Sequence, residues 1–424
     1  RPASSSKSSR ADGVAHDQPL RFIAGINAPA TCVRHRGLLA YRDKHHMKIC
    51  VLTARYSVSG VPLAQIRLAN ALRRRGACVD VLFGNAGIGS ACTKEIEGLV
   101  DLRVRRTFLM LPAIMRYLRT ERPDVVFSAE DHLNAITLLA AILTGSRSRI
   151  CCSSRVTPLD TYGRGSILKR LVLKSLIGML SRRAQLLTCV SEDMIDQYRG
   201  IFGDEGRVCV YNIIDPVLSG DLISENVDHP WFSDPGSRVV VAAGSLEPWK
   251  GFADLIRAIT VTHDDVKLMI LGEGSQRSNL EELIGSLGLT DRVQLVGQVR
   301  NPLAYFSKAR VFALSSHVEG MPNVLIEAMM CGCTPVSTNC PTGPRELLEG
   351  KDYGSLVPVE DWAALGRAIN QGFENPAPYD WLMRIIEPFS EACVIERYQS
   401  LLDLRFPLPD ATFGEGGSEA KVHS

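Results

Sequence analysis

Short apolar runs alternate with longer amphipathic segments along most of this 424-residue chain. Lys48–Thr53, Val79–Phe83 and Asp124–Ser128 have the length of strands, and Leu63–Arg75 has the length of a helix that Gly76 ends. Strands of this length that are separated by helices indicate parallel β-α units, because a parallel connection must cross the sheet. The pattern therefore predicts an α/β protein. Further elements of the first half are expected at Leu133–Leu143, Arg149–Ser154, Ser166–Arg183, Leu186–Ser191 and Val208–Tyr211.

The pattern restarts after a connector at about residues 212–238, which contains Asp215-Pro216 and His229-Pro230. Two doubly wound halves are therefore predicted, and such sheets bind ligands beyond the carboxyl ends of their strands. We expect the main pocket in the cleft between the halves. The strands expected in the second half are Val239–Ala243, Lys267–Leu271, Val293–Val296, Val311–Leu314 and Thr334–Ser337.

Two carboxylates mark the second half as the ligand-binding half. Glu319 lies on a glycine-containing loop, and Glu327 lies inside a helix that Pro322 is suited to begin and Gly332 to end. The first turn of such a helix presents free backbone N–H groups, which favour anions. Glu327 offers two oxygens to a diol. Together these groups predict a site for a phosphorylated, hydroxyl-rich ligand.

The spacing of these glutamates resembles the E-x7-E signature of retaining glycosyltransferases with the GT-B fold, in family 4 (group 1). The resemblance covers about residues 239–360 and continues over 47–238. It implies an α/β fold of the GT-B type, with two Rossmann-like doubly wound parallel-sheet domains that face each other across a cleft. The flanking blocks that match the family are Gly244–Phe252, Leu271–Gly274, Val296–Val299, Asn301-Pro302, Pro335–Thr338 and Pro341–Glu346.

The domain boundaries follow from the pattern and the resemblance. Residues 1–46 are rich in Ser, Arg and His and show neither periodicity nor a secretory signal, so the folded chain is expected to begin at Met47, a candidate initiator. The predicted parts are a disordered extension (1–46), an N-terminal acceptor domain (47–215), a C-terminal donor domain (216–389), a helix that crosses back to the first domain (390–405) and a flexible tail (406–424).

A phosphate-binding loop is predicted after the first strand of the second half. Gly244 and Ser245 follow that strand and Lys250 stands where the next helix opens, so loop amides and one lysine can hold a diphosphate. Taken alone, Lys250 would be interpreted as a solvated lysine at the start of a helix. Its position in the family-like block Gly244–Phe252 favours a role in binding instead. In the family an arginine usually stands where this chain has Ser245, so one cation is missing. Arg300 and Arg345 are candidates to replace it.

The resemblance also assigns the other donor contacts. It implies that Glu327 holds the ribose hydroxyls and that Glu319 holds the donor sugar with the amides of Gly320–Asn323. The loop at Gly297 is expected near the nucleotide base, although Gly272 and Gly297 could equally be ordinary turn glycines. The full donor set is Gly60, Gly244, Ser245, Lys250, Gly272, Gly297, Glu319, Gly320, Met321, Pro322, Asn323 and Glu327.

The acceptor side is expected at Glu130, Asp131 and His132, which directly follow a strand. Many relatives carry a histidine near here that contacts the donor sugar, and Asp131 could orient the acceptor hydroxyl. A helix-capping Asp131 with a surface His132 explains the same pattern equally well. Glu130 and Arg155 are the acceptor candidates, with a structural ion pair as the alternative for Arg155. The predicted catalytic residues are Glu319, Lys250, Asp131 and His132.

Composition excludes other classes of function. The formal net charge is only +2 and aromatic residues make up 6 %, so nothing favours nucleic acid as a partner. Many of the twelve cysteines lie in apolar runs, and Cys331-Gly332-Cys333 lacks suitably placed histidines, so reduced thiols in a cytoplasmic protein are expected and zinc is not. No Asp-x-Asp motif stands at a strand end. The resemblance implies a nucleotide-sugar co-substrate with no metal and no cofactor, and the sequence agrees with this expectation.

An anionic membrane surface is the remaining candidate partner. No run approaches 18 apolar residues, so no spanning helix is predicted. The helix at Ser166–Arg183 is basic and amphipathic and can rest on anionic lipid, at the inner face of the cytoplasmic membrane. The alternative is a helix packed on its own sheet with a solvated basic face. Lipid contact would favour a polyprenyl-linked sugar as the acceptor.

The resemblance implies a retaining hexosyltransferase of polysaccharide or glycoconjugate biosynthesis, and family frequency favours a UDP-sugar donor. Two alternatives stay open: another GT-B enzyme, such as a sugar-nucleotide epimerase, and a sugar-binding scaffold with an eroded site. Three departures from the family's pattern favour the scaffold: Ser245 in place of the arginine, Ala129 in place of the histidine and the single Gly60 in place of paired glycines. Intact Glu319, Lys250 and Glu327 oppose it. Glu319, Lys250 and Glu327 are the three residues expected to bind the donor.

Overall fold

The computed structural model describes residues 47–55, 60–85, 96–158, 167–214, 220–234 and 238–406. The predicted extension 1–46 and all but the first residue of the predicted tail 406–424 lie outside these ranges. So do residues 57–59 of the expected first loop and Asp215-Pro216 of the connector.

The first domain is built on a parallel sheet of seven strands in the order β3-β2-β1-β4-β5-β6-β7. Its central strands are buried on both faces, as in a sheet covered by helices on each side, which explains the nearly continuous apolar runs. The strands are β1 (Lys48–Arg55), β2 (Cys78–Asn85), β3 (Leu99–Asp101), β4 (Val125–Ala129), β5 (Arg149–Ser154), β6 (Leu186–Cys189) and β7 (Val208–Cys209).

The second domain repeats the design with a parallel sheet of six strands in the order β10-β9-β8-β11-β12-β13. The prediction of two doubly wound parallel-sheet domains is therefore confirmed. The strands are β8 (Arg238–Ala243), β9 (Val266–Leu271), β10 (Val293–Gly297), β11 (Val311–Leu314), β12 (Thr334–Thr338) and β13 (Ser355–Val357).

Helices connect the strands and cover both sheets. In the first domain and the connector they are α1 (Val61–Arg74), α2 (Leu111–Glu121), α3 (Asp131–Thr144), α4 (Ile167–Leu180), α5 (Glu192–Phe202), α6 (Gly220–Ile223) and α7 (Pro230–Ser233). Those that follow are α8 (Phe252–Ala258), α9 (Arg277–Ser286), α10 (Pro302–Phe306), α11 (Asn323–Met330), α12 (Pro344–Leu348), α13 (Trp362–Glu374), α14 (Tyr379–Ile386) and α15 (Glu391–Leu402).

The last helix, α15, packs on the first domain. Tyr398 is 2 % exposed and its ring lies edge-on to that of Phe127 in β4, with 5.0 Å between centroids. Arg74 at the end of α1 pairs with Glu391, with Nε donating to Oε2 at 3.0 Å. Arg149 donates to the carbonyl oxygen of Leu402. The last described helix therefore packs against the domain that contains the first described strand.

Each sheet has a point where the strand order reverses, and these points locate the site. In the first sheet the reversal lies between β1 and β4, and in the second between β8 and β11. Ligands of doubly wound sheets bind in the crevice outside the carboxyl ends of such strands. The segments that follow β8 and β11 carry Gly244, Lys250 and Glu319, and Glu130 follows β4.

Candidate active site

The loop after β8 is held close to its neighbours by glycines that no other residue can replace. A Cβ on Gly272 would lie 1.9 Å from the carbonyl oxygen of Gly244, and one on Gly251 would lie 2.0 Å from that of Ser315. Gly251 also has a φ of 64°, which favours glycine. The close approach brings the turn that carries Lys250 against the end of β11. The local sequence therefore places the lysine at the strand-order reversal.

Lys250 and Glu319 form an ion pair at this point. The lysine Nζ lies 2.6 Å from Glu319 Oε1, and the Ser316 hydroxyl donates to the same oxygen at 2.6 Å. The two charged side chains are 19 % and 11 % exposed. Thr342 donates to the Glu319 carbonyl oxygen, which fixes the backbone of the loop. The structure thus brings together two of the four predicted catalytic residues.

Helix α11 begins beside this pair. Pro322 occupies the N-cap and Gly332 follows the helix with a φ of 93°, close to the predicted limits. Pro322 supplies no side-chain cap, so the first amides of the helix remain available to a ligand. The side chain of Asn323 accepts a hydrogen bond from Asn212 Nδ2 at 2.7 Å. Asn212 lies where the first domain ends and the connector begins, and it also accepts a hydrogen bond from Arg155, so this contact joins the two domains.

Glu327 is paired across the same interface. Glu327 is 9 % exposed and stands between the buried residues Ile326 and Ala328. Arg67 in α1 donates from Nη2 to Glu327 Oε1 at 2.7 Å. The carboxylate that the resemblance assigns to ribose therefore contacts an arginine of the first domain. Sequence reasoning missed Arg67, because one arginine on an amphipathic helix carries no motif.

Glu130 is strained at the carboxyl end of β4. It has a φ of 76° and a ψ of 131°, a conformation that side-chain-bearing residues rarely adopt and that costs on the order of 1–3 kcal/mol. Burial raises the pKa of the Glu130 carboxyl, and the nearby charges of His132, Arg55 and Arg155 oppose that rise. Such strain persists where the surrounding structure imposes it, often at functional sites. The geometry keeps Glu130 as a candidate at the acceptor side.

Asp131 and His132 take different positions. Asp131 is 7 % exposed, and its two carboxylate oxygens accept hydrogen bonds from the hydroxyls of Ser154 and Tyr198, each at 2.7 Å. Its side chain makes no N-cap contact, since the N-cap of α3 is Glu130. His132 is exposed on the first turn of the helix. Their predicted catalytic roles stay predictions.

Arg155 lies at the centre of a polar chain between the domains. Its guanidinium donates to the side-chain oxygens of Asn212 and of Gln65, the latter at 3.0 Å. Burial lowers the pKa of the guanidinium. A Cβ on Gly320 would lie 2.6 Å from the Arg155 carbonyl oxygen, so the loop that carries Glu319 contacts the residue that follows β5. Both side-chain contacts are to neutral amides. The sequence instead suggested that Arg155 binds the acceptor substrate or forms a structural ion pair.

Arg345 is one of the two arginines predicted as replacements for the cation that is missing at Ser245. Arg345 is 47 % exposed in its side chain, donates to Asn339 Oδ1 at 3.3 Å and lies 3.8 Å from Glu349. Its neighbour Glu346 instead crosses the interface, where Oε1 accepts the backbone N–H of Asp193 at 2.9 Å. Arg345 therefore faces solvent, and no contact described for it reaches Lys250.

One face of the first domain exposes large apolar side chains beside basic ones. Helices α2, α3 and α4 pack side by side there, and a surface groove of about 420 Å³ runs along α2 between Met115, Arg116 and Arg119. We call this surface the apolar-basic face. Its exposed apolar residues are Phe108, Leu109, Ile142, Leu143, Leu168, Leu171, Val172 and Met179.

The described residues contain neither a membrane-spanning helix nor a cluster of metal ligands. None of the helices in the described ranges is both long and apolar enough to cross a bilayer. Within the same ranges, no group of three or more His, Cys, Asp or Glu side chains is arranged to hold a metal ion.

Comparison with known proteins gives consistent matches. The model for glycosyl transferases group 1 matches residues 224–386, and the model for glycosyltransferase family 4 matches residues 58–217. An N-acetylgalactosamine-N,N'-diacetylbacillosaminyl-diphospho-undecaprenol 4-alpha-N-acetylgalactosaminyltransferase of Campylobacter jejuni is 32 % identical over 67 % of this chain and 76 % of its own length.

A second Campylobacter jejuni protein is similar over a longer stretch. It is a GalNAc-alpha-(1->4)-GalNAc-alpha-(1->3)-diNAcBac-PP-undecaprenol alpha-1,4-N-acetyl-D-galactosaminyltransferase, 25 % identical over 76 % of this chain and 88 % of its own length. Among solved structures, Anabaena HepE in complex with UDP-glucose superimposes with a TM-score of 0.70 at 20 % identity, over 85 % of this chain and all of that one.

Proposed function

This chain belongs to the group 1 glycosyltransferases of family 4 and has the GT-B fold, and we propose that it transfers a hexose from a UDP-sugar to a lipid-linked sugar with retention of anomeric configuration. The work of such an enzyme lies in polysaccharide or glycoconjugate biosynthesis, as the names of its relatives indicate.

The observation that carries this proposal is the position of three charged groups at one end of the second sheet. Lys250 and Glu319 are paired beside the uncapped first turn of α11, and Glu327 lies further along the same helix. A lysine and free amides suit a diphosphate, while the two carboxylates suit hydroxyl groups. A sugar nucleotide presents this combination, with a diphosphate between two hydroxyl-bearing rings.

The substrate classes are supported by the relatives. HepE is described in complex with UDP-glucose, and the Campylobacter proteins are named for acceptors on diphospho-undecaprenol. A UDP-sugar donor and a polyprenyl-linked acceptor are the corresponding proposals for this chain. An acceptor with a long lipid tail fits a protein that exposes an apolar face. We therefore propose that the protein works at the inner face of the cytoplasmic membrane.

The chemistry follows from the groups at hand. The acceptor oxygen bonds to the anomeric carbon as the bond from that carbon to the diphosphate breaks, and the leaving phosphate takes the acceptor's proton. Lys250 and the first amides of α11 stabilise the negative charge that develops on the leaving group. Glu319 holds a donor-sugar hydroxyl, and Glu130 orients the acceptor from the end of β4. This scheme needs no metal, and loss of turnover in EDTA would contradict it.

A donor panel tests the proposal directly. Because a ligand that binds the folded form raises the melting temperature, UDP-sugars should stabilise the protein more than GDP- or ADP-sugars at equal concentration. Transfer to a polyprenyl-diphosphate-linked sugar, with the product's anomeric configuration read by NMR, then tests acceptor and stereochemistry. Failure of every nucleotide to stabilise the protein or to react would favour an eroded binding scaffold.

A further inference from the structure

Glu327 and Arg67 form a contact that the donor-site assignment does not explain. Glu327 lies in α11 of the second domain and Arg67 in α1 of the first, with 2.7 Å between Nη2 and Oε1. Their side chains are 12 % and 24 % exposed, so the pair is mostly removed from water. A carboxylate buried among apolar neighbours is costly unless a charged or hydrogen-bonding partner compensates it. Arg67 provides that partner from the opposite side of the cleft.

The pair lies in an interface with several specific contacts. Asn212 links Arg155 of the first domain to Asn323 at the start of α11. Gly320 approaches the Arg155 backbone so closely that no side chain fits. The Arg67–Glu327 pair is therefore one of several specific contacts that join the two domains. It is not an isolated surface ion pair, which would contribute little to stability.

We propose that Arg67 is a positioning residue for the donor. It holds Glu327 through Oε1, while Oε2, which has no hydrogen-bond partner among the described residues, faces the ribose hydroxyls. The donor subsite is then complete only when α1 and α11 lie together, so donor binding and domain closure favour each other. This inference rests on the proposed role of Glu327 in the site.

Substitution of Arg67 tests the inference by its effect on donor affinity. Arg67→Gln removes the charge that orients Glu327, so the Kd for UDP and the KM for the donor should rise about tenfold, while kcat changes less than about threefold. Arg67→Lys keeps a cation and should recover most of the affinity. Arg74→Gln is the matched control, because Arg74 lies on the same helix and pairs with Glu391 away from the cleft. It should leave both constants unchanged.

A double-mutant cycle shows whether Arg67 acts through Glu327. If it does, adding Arg67→Gln to Glu327→Gln should raise the Kd for UDP no further, measured by calorimetry on variants with wild-type circular dichroism. Independent, multiplying effects would overturn the inference. So would an unchanged or lower Kd in Arg67→Gln alone, since a lower value means that the pair obstructs the donor. A failure of the proposed function would look different: Glu327→Gln alone would then leave UDP affinity unchanged.

Discussion

Lys250 and Glu319 lie 2.6 Å apart, although 69 residues of sequence separate them. The lysine comes from the loop after β8 and the glutamate from the loop after β11, the two strands that flank the reversal of strand order. The Ser316 hydroxyl donates to the Glu319 carboxylate, and the Ser315 hydroxyl donates to the backbone carbonyl oxygen of Lys250 and so holds the turn that carries the lysine. A preformed cation at this position costs little reorganisation when charge develops on a leaving group.

Lys250→Met should therefore damage catalysis more than binding. Removing one preorganised group that stabilises transition-state charge typically costs 10²–10³ in kcat, and we expect a loss of about 100-fold or more. The measurement is steady-state kinetics with a UDP-sugar and the acceptor. Lys308→Met, at an exposed lysine of the same domain, is the control and should retain wild-type rates. A Lys250→Met variant with normal kcat would remove the lysine from the mechanism.

Ser245→Arg should strengthen donor binding. Ser245 is exposed just after β8, at the place where the family resemblance leads us to expect an arginine. An arginine can bind a diphosphate through two parallel hydrogen bonds, so the Kd for UDP should fall by about three- to tenfold. Calorimetry at low and high salt measures this, with Ser245→Ala as the control. Unchanged affinity in Ser245→Arg would show that another cation already fills the role.

The outline of the fold was predictable because strand and helix periods leave a direct trace in the sequence. Lys48–Thr53 was expected as a strand and the observed strand is Lys48–Arg55; Leu63–Arg75 was expected as a helix and the observed helix is Val61–Arg74. The limits of α11 were predictable for the same reason, since Pro322 and Gly332 have strong positional preferences.

The contacts across the cleft were not predictable, because they depend on how two domains meet. Arg67, Asn212 and Glu346 each reach a residue at least 111 positions away, and nothing near them in the sequence indicates a partner. Glu130 was noted only for its position after a strand. The Glu130 N–H donates to the carbonyl oxygen of Ser153 at the end of β5, and a single sequence shows neither this contact nor the positive φ.

Glu346 should make stability depend on pH near neutrality. Burial raises the pKa of this carboxyl to about 7 from an ordinary 4.5, and the nearby carboxylates of Asp193 and Glu192 add to the rise. The folded protein therefore retains a proton that the unfolded chain has lost, and the free energy of unfolding falls as pH rises from about 4.5 to about 7. Glu346→Gln keeps an acceptor for the Asp193 N–H and removes the ionisable group.

We expect Glu346→Gln to flatten this part of the stability profile. At pH 8 it should unfold with a free energy about 1 kcal/mol higher than the wild type, a value reduced because the residue as a whole is only partly buried. Near pH 4.5 the two proteins should be alike. Urea denaturation at several pH values measures the difference, with the exposed neighbour Glu349→Gln as the control. Parallel profiles for Glu346→Gln and the wild type would contradict the assignment.

The apolar-basic face should bind anionic vesicles. Leu171 and Val172 on α4 are each 58 % exposed, and Arg116 and Arg119 lie on α2, which packs against the other side of α3. Exposed apolar side chains that insert among lipid headgroups gain free energy of burial, and the arginines add attraction to anionic lipid. The protein should therefore float with vesicles that contain phosphatidylglycerol and remain unbound with phosphatidylcholine alone.

A double variant, Leu171→Ser with Val172→Ser, should lose most of this flotation, because it removes the apolar contribution and leaves the charge unchanged. Tyr379→Ser is the matched control, since Tyr379 is 55 % exposed but belongs to the second domain. It should float like the wild type. Turnover of a UDP-sugar with a water-soluble acceptor should be the same in all three proteins, which separates membrane binding from catalysis. Equal flotation of the double variant and the wild type would assign the binding to another surface.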